Sequence, residues 1–376
     1  MYRYEPSKKY TVHLELTDKC NAACPMCQRT NIEPPSSVEN PKANKTASYI
    51  QNVDLTLEDI QTIWPEKTLQ QYMKHIHMCG SFGDPMMARD VYEITDYFLK
   101  SDPRMECSFS TNASLRDEDW WFKFGCLANG RDRRRLTVMF CIDGLTQETH
   151  EMYRRDTNLD KIWRNVDAYM DSGARATWQF ISFKHNDHEV ERARKMSADM
   201  GFERFELVKT PRFGARDNGW PYNYNGNEFR LEASSLYAND NWMKNPENIK
   251  LKTVPGYEKK ETDTGHYIDC KVQNVPSFYV DCEGFVLPCC YLASPFYRAR
   301  HNWSNEIYHF HDCWNDLWAD MDVWELNAKH NRLFEDILHK HKWFSDLEIM
   351  WKTSSPAVCN KICGNKEMAT EREIVL

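Results

Sequence analysis

Apolar residues in this chain recur in short alternating or continuous runs, and between the runs the spacing switches to a helical repeat. Tyr10 to Leu16 is the first run and predicts a strand. A helix is predicted from Leu57, capped by the Thr56 hydroxyl, with Glu58 and Asp59 in its first turn where the helix dipole favours them. Pro65 kinks or ends that helix, and a further turn or two runs on to Tyr72. Strands are then predicted over His75–Cys79, Met105–Ser110, Leu136–Ile142, Ala176–Phe183 and Phe205–Val208. Helical patterns fill the intervals, over Val91–Lys100, Asp117–Cys126, Leu159–Asp171 and Glu189–Met200. This alternation defines an α/β fold of parallel βα units, which right-handed crossovers curl into a barrel or part of one. Such a fold carries its active site at the carboxyl ends of the strands.

Elsewhere the pattern lapses. Glu33 to Asn52 is rich in Pro, Ser and Asn and reads as a long loop. Pro211 to Asn227 is rich in Gly, Asn and Tyr and reads as a linker or a substrate-facing loop. From His266 a short hairpin and then Trp-rich helices predict a second, smaller domain. The expected organisation is a barrel over 1–210, linker and substrate-facing loops over 211–265, and the smaller domain over 266–376. Arg131 to Arg135, a charge run at the amino end of a strand, reads as a solvated loop.

Composition narrows the function. A net charge of −8 over 376 residues disfavours non-specific nucleic-acid binding. No run of about 18 apolar residues is present to span a membrane, and Met1 to Lys9 lacks the apolar segment of a secretory signal. The 14 cysteines include close sets at 20/24/27, 289/290 and 359/363, which look like metal ligands rather than disulfide staples. A reducing, cytoplasmic setting is expected.

The chemistry concentrates in Leu16-Thr17-Asp18-Lys19-Cys20-Asn21-Ala22-Ala23-Cys24-Pro25-Met26-Cys27, a C-x3-C-x2-C loop that leaves the end of the first strand. Three thiolates on one loop can hold three irons of a four-iron cubane and leave the fourth open. Structural zinc would need a fourth ligand, for which His13 is the only obvious candidate nearby.

This loop resembles the signature of the radical S-adenosylmethionine (SAM) superfamily. The resemblance implies a partial (β/α)6 TIM-like barrel and a [4Fe–4S] cluster on Cys20, Cys24 and Cys27. In that family the open iron chelates SAM. A reductant such as flavodoxin or ferredoxin supplies one electron, and the 5′-deoxyadenosyl radical released from SAM removes a hydrogen atom from substrate. Met26, before the third cysteine, stands where the family packs a side chain on adenine.

Further similarities follow in order. Cys79-Gly80-Ser81-Phe82-Gly83-Asp84-Pro85 resembles the Gly-Gly-Glu-Pro motif that receives the SAM amino group, which implies Gly83, Asp84 and Pro85 as contacts. Phe82 replaces a glycine there and Asp84 the glutamate. Ser110-Thr111-Asn112-Ala113 is similar to the ribose-lining segment, implying Ser110 and Asn112. Cys141-Ile142-Asp143-Gly144 with Met152-Tyr153-Arg154 looks like the Ser-x-Asp-Gly…Tyr-Arg pattern of the peptide-modifying branch, implying Asp143 and Arg154, the latter for the SAM carboxylate. A surface ion pair of Arg154 with Glu151 or Asp156 is the alternative. Gln179, in Trp178-Gln179-Phe180 at the barrel mouth, is a SAM contact or a buried core amide.

Near the C-terminus, Cys270, Gly284 after thirteen residues and Cys289 after four more resemble the opening of SPASM/Twitch auxiliary-cluster domains, and Cys359 and Cys363 their later pair. The resemblance implies one auxiliary [4Fe–4S] cluster on Cys270, Cys289, Cys359 and Cys363, with Cys290, Cys282 or Cys313 as alternative ligands. Cys79, Cys107 and Cys126 read as core packing. The implied protein is an oxidoreductase or maturase-type enzyme that abstracts hydrogen from a peptide or protein side chain. Alternatives are a small molecule or nucleotide, as in molybdopterin-precursor synthesis (whose enzymes end in Gly-Gly, unlike Val375-Leu376 here), RNA modification, or a non-catalytic protein with structural zinc. No residue stands out as acid, base or hydrogen donor.

Overall fold

The computed structural model describes residues 4–30, 46–128, 132–213, 219–235, 268, 270, 275–301, 322–350, 359, 363 and 372–375. Strands β1 (Tyr10–Leu14), β2 (Met73–Met78), β3 (Glu106–Thr111), β4 (Leu136–Cys141), β5 (Arg175–Ser182) and β6 (Arg204–Lys209) pair in chain order, each parallel to the next. Helices α1 (Leu57–Ile63), α2 (Glu66–Tyr72), α3 (Val91–Ser101), α4 (Glu118–Cys126), α5 (Gln147–Glu151), α6 (Leu159–Asp171) and α7 (Val190–Met200) form the crossovers. Thr56 caps α1 in a reciprocal box with Asp59, and Pro65 starts α2 rather than kinking α1. The sheet stays open, with these six strands at its centre.

Alternation along the strands separates two environments. Val12, Ile76, Phe109, Val138, Trp178 and Phe205 point outward and are buried in one core. Their neighbours His13, His77, Ser108, Thr137 and Gln179 point into the bore. Ser108 Oγ stands 2.7 Å from His75 Nε2 and 2.8 Å from His77 Nδ1, so the bore is hydrogen-bonded from strand to strand. Trp178 and Phe180 therefore do not face the barrel mouth; only Gln179 between them does. Cys107 is buried in the core, as expected, whereas Cys79 is half-buried; both border the bore.

Two regions depart from the reading by pattern. Over 220–231 the chain forms a hairpin of β7 (Trp220–Tyr224) and β8 (Asn227–Leu231), not a loop, turning at Asn225-Gly226. Arg155 clasps it: Nη2 donates to the Tyr222 hydroxyl at 2.7 Å, and the guanidinium lies 4.2 Å from the Phe229 ring centroid. Tyr222 is buried and also donates to Met152 O, so it is not offered to a substrate. The C-terminal hairpin, β9 (Ser277–Val280) and β10 (Val286–Leu287), turns at Gly284, whose φ of +93° favours glycine. It joins the barrel sheet itself, with β9 parallel to β1. Helix α8 (Cys290–Arg300) follows, and strand β11 (Arg372–Val375) closes the far edge antiparallel to β6.

Candidate active site

The cysteine loop leaves β1 and is fixed at both shoulders. Asp18 is buried and accepts from the backbone N–H groups of Gln51, Asn52 and Val53 and from the Tyr297 hydroxyl, at 2.7–3.0 Å. Inside the loop Cys27 N donates to Cys24 O at 3.0 Å, Ala23 N to Arg155 O at 3.0 Å, and Ala22 N to Cys20 Sγ at 3.4 Å. Hairpin β7–β8 packs over it: Ala22, Cys24, Met26, Tyr153, Tyr222 and Leu231 share one apolar cluster. Burial pushes the Cys24 thiol up to about 11, with Arg154 opposing, and raises Cys20 well above its ordinary value, so metal binding here must displace protons.

All three thiols line one cavity of about 1460 Å³. Among the described residues no three Cys, His, Asp or Glu side chains gather as ligands of a single ion. A cubane asks for something else, because each cysteine binds its own iron. The donor set is three sulfurs on one loop, which fits a cluster with one iron left open.

The second wall is the turn after β2. Gly80 through Asp84 line the cavity, and the turn lies against the cysteine loop, Asp84 N donating to Lys19 O at 2.8 Å. A Cβ on Gly83 would stand 1.9 Å from Thr17 O. Gly83→Ala is therefore expected to push the two loops apart and lower SAM affinity at least tenfold, as read by equilibrium dialysis on the reconstituted protein. Asp84 is buried, its carboxylate accepting from Met86 N, the Thr111 hydroxyl and Asn112 N at 2.8–3.0 Å. It ties the end of β3 to this turn.

Beside it, Asn112 Nδ2 donates to Asn21 Oδ1 at 3.0 Å and approaches Cys20 Sγ at 3.8 Å. Ser110 Oγ is buried on the cavity wall without a hydrogen-bond partner. An orphaned hydroxyl there suits a hydroxylated ligand such as a ribose.

Arg154 reaches the cavity from the turn after α5. Its Nε donates to Asp143 Oδ2 at 2.6 Å, and it pairs with neither Glu151 nor Asp156. Burial works against its charge, but Asp143 and Cys24 outweigh that and hold its pKa high. Asp143 is fully buried behind Arg154, and its Oδ1 accepts Ile181 N at 2.6 Å. His150 Nδ1 accepts Asp143 N at 3.2 Å, and Asn186 donates to Asp143 O at 2.9 Å. Burial lowers the pKa of His150 to about 3, so it stays neutral and its Nε2–H faces Thr157 Oγ1 at 3.1 Å.

Of the nine expected cofactor contacts, Gly83, Asp84, Ser110, Asn112, Arg154 and Gln179 line the cavity. Met26, Pro85 and Asp143 are buried behind it. Gln179 has sulfur partners, Cys141 Sγ at 3.8 Å and Met139 Sδ at 3.5 Å. The sequence reading missed Arg212, which lines the cavity and donates to Met26 O at 3.0 Å; its place just after β6 was the available signal. It also missed Glu15, His150, Asn186 and Tyr279, which lie one layer back.

Cys270 and Cys359 are buried members of the main core, with Cys289 and Cys290 packed against it, and Cys363 is half-buried. Cys290 also lines the cavity. Cys282 sits in a separate group with Tyr49, Phe82 and Tyr297. Burial raises its pKa well above normal, and Glu15, Asp281 and Asp18 add to the shift. Cys313 lies outside the described residues.

Residues 14–196 match the radical SAM superfamily. This segment, from the end of β1 into α7, carries a radical SAM domain, and the chain is an enzyme. None of the curated proteins matches it. Among solved structures, SuiB of Streptococcus suis shares the fold with a TM-score of 0.50 at 12% identity, over 96% of this chain and 72% of SuiB. SuiB bound to S-adenosylmethionine gives 0.51 at 12%, over 90% and 65%. Native anSMEcpe with bound AdoMet gives 0.44 at 16%, over 96% and 92%. Among the described residues, no helix is long and apolar enough to cross a membrane.

Proposed function

We propose that this radical SAM enzyme takes a hydrogen atom from a peptide or protein side chain, with an auxiliary [4Fe–4S] cluster on Cys270, Cys289, Cys359 and Cys363 in a C-terminal domain beginning near residue 266. The observation that carries the reading is the single cavity shared by the cysteine loop, Arg154 and the Tyr291–Arg298 face of α8. The cavity of about 1460 Å³ continues down the bore to Arg104, Arg135 and Glu203 at the amino ends of the strands, and at its mouth the α8 face stands opposite the cysteine loop, where a substrate would meet SAM.

In this reading Cys20, Cys24 and Cys27 hold the catalytic cluster, and Arg154 receives the SAM carboxylate. Ser110 and Asn112 face the ribose. Tyr291, exposed at the rim, and Arg298 beside it contact the substrate. The bound cluster and SAM together supply reductive cleavage of the sulfonium and the hydrogen-abstracting nucleoside. A small electron carrier, flavodoxin or ferredoxin, is the proposed reductant.

The test is anaerobic reconstitution followed by iron, sulfide and zinc analysis, then incubation with SAM, dithionite and candidate peptides, beginning with any short reading frame found beside the gene. The expected result is two cubanes of iron, falling to one when Cys270, Cys289, Cys359 and Cys363 are all replaced by alanine. Formation of 5′-deoxyadenosine rather than S-adenosylhomocysteine, with a changed peptide mass, completes it. A colourless zinc protein that leaves SAM intact overturns the reading. Cleavage of SAM with no peptide modified, but a small molecule consumed, overturns the substrate assignment alone.

A further inference from the structure

Glu15 is a carboxylate buried just past the end of β1, five residues before the first cysteine. Its Oε1 accepts from the backbone N–H groups of Phe82 at 2.6 Å and Gly83 at 3.0 Å. Its Oε2 accepts from the hydroxyl of Tyr279, which lies on β9 of the C-terminal hairpin and is also fully buried. Neither Glu15 nor Tyr279 lines the cavity, whereas Gly80, Ser81, Phe82 and Gly83 all do. The carboxylate therefore grips this turn from behind.

Peptide planarity gives that grip a consequence. In a trans peptide the carbonyl of residue i−1 points opposite to the N–H of residue i. With the N–H groups of Phe82 and Gly83 turned to Glu15, the carbonyls of Ser81 and Phe82 turn away from it. Two carbonyl oxygens aimed alike are acceptors for an ammonium group. The turn closes tightly on itself, because a Cβ on Gly80 would stand 1.8 Å from Gly83 O. The Tyr279 hydroxyl holds the carboxylate in place, and the ring of Tyr279 stands edge-on to His13, its register partner on β1, with centroids 5.0 Å apart.

We infer that Glu15 and Tyr279 are positioning residues for the ammonium group of SAM, so that a strand of the C-terminal hairpin completes the cofactor site of the barrel. The inference rests on the assignment of this cavity to SAM. It makes the hairpin part of cofactor binding in addition to any ligands it supplies to a second cluster.

The probes are S-adenosylhomocysteine, which keeps the ammonium and is not cleaved, and its deaminated analogue. Both are titrated calorimetrically into anaerobically reconstituted wild type, E15A, E15Q and Y279F. In E15A, affinity for S-adenosylhomocysteine is expected to fall about tenfold, the effect of losing hydrogen bonds to a charged group, while affinity for the deaminated analogue stays within about twofold. Glutamine keeps an oxygen for both N–H groups, so E15Q is expected to recover most of the loss. Y279F is expected to move in the same direction as E15A by a smaller factor. Equal losses for both probes, or no loss for either, overturn the inference. Should E15A fail to fold, Y279F carries the same comparison. If wild type binds neither probe, the SAM assignment itself fails, which is a separate result.

Discussion

Replacing Cys20, Cys24 and Cys27 together by alanine is expected to abolish 5′-deoxyadenosine formation, to below detection in an anaerobic assay with SAM and dithionite. The iron content should drop by one cubane. The effect is all-or-none because these thiols are the ligands proposed for the cluster, and a cubane that lacks its protein ligands is not held. The surrounding structure explains why the loss should stay local. The loop is fixed by Asp18, by backbone hydrogen bonds from Ala23 and Cys27, and by the packing of Met26, Tyr153 and Tyr222, none of which needs a thiolate. Circular dichroism of the triple variant should match wild type. Continued nucleoside release by a folded triple variant would remove the basis of the functional reading.

Much of the barrel was legible because alternation is a local signal. Each of the six strands falls within a few residues of its apolar run, and Thr56 caps where a Thr before an acidic turn should. The β7–β8 hairpin was misread although Asn225-Gly226 is a strong turn signal. Its strands are polar and aromatic, and they are held by Arg155, a partner about 70 residues away in sequence. Contacts that depend on chain separation are the ones a linear reading loses. Tyr279 lies 264 residues from Glu15, and nothing near either residue announces the pair. The Asp-Gly…Tyr-Arg pattern did single out Asp143 and Arg154. It did not reveal that the aspartate serves the arginine, because that follows only once β4 and β5 stand side by side and Ile181 N reaches the carboxylate.

That subordination leads to the second large effect. Arg154→Ala leaves Asp143 as an uncompensated buried carboxylate, and breaking a buried pair by removing one partner costs about 3–5 kcal/mol. Anaerobic denaturant titration at pH 7 should show a loss of that order, and SAM binding should weaken at least tenfold, because the charge-assisted contact proposed for the SAM carboxylate goes with it. The pH dependence has a definite sign. Burial already raises the Asp143 pKa above its ordinary 3.8, and Arg154 is the largest influence lowering it. Without the arginine the folded-state pKa rises further. A group with a raised folded pKa destabilises the fold as pH climbs through that value, so the deficit of the variant should shrink between pH 7 and pH 5. Adding Asp143→Asn should recover much of the stability by removing the stranded charge, yet leave SAM binding impaired, because the guanidinium remains absent. If Arg154→Ala and the double variant are equally unstable, the arginine does not act through Asp143. If SAM binding returns with stability, it does not act on the cofactor.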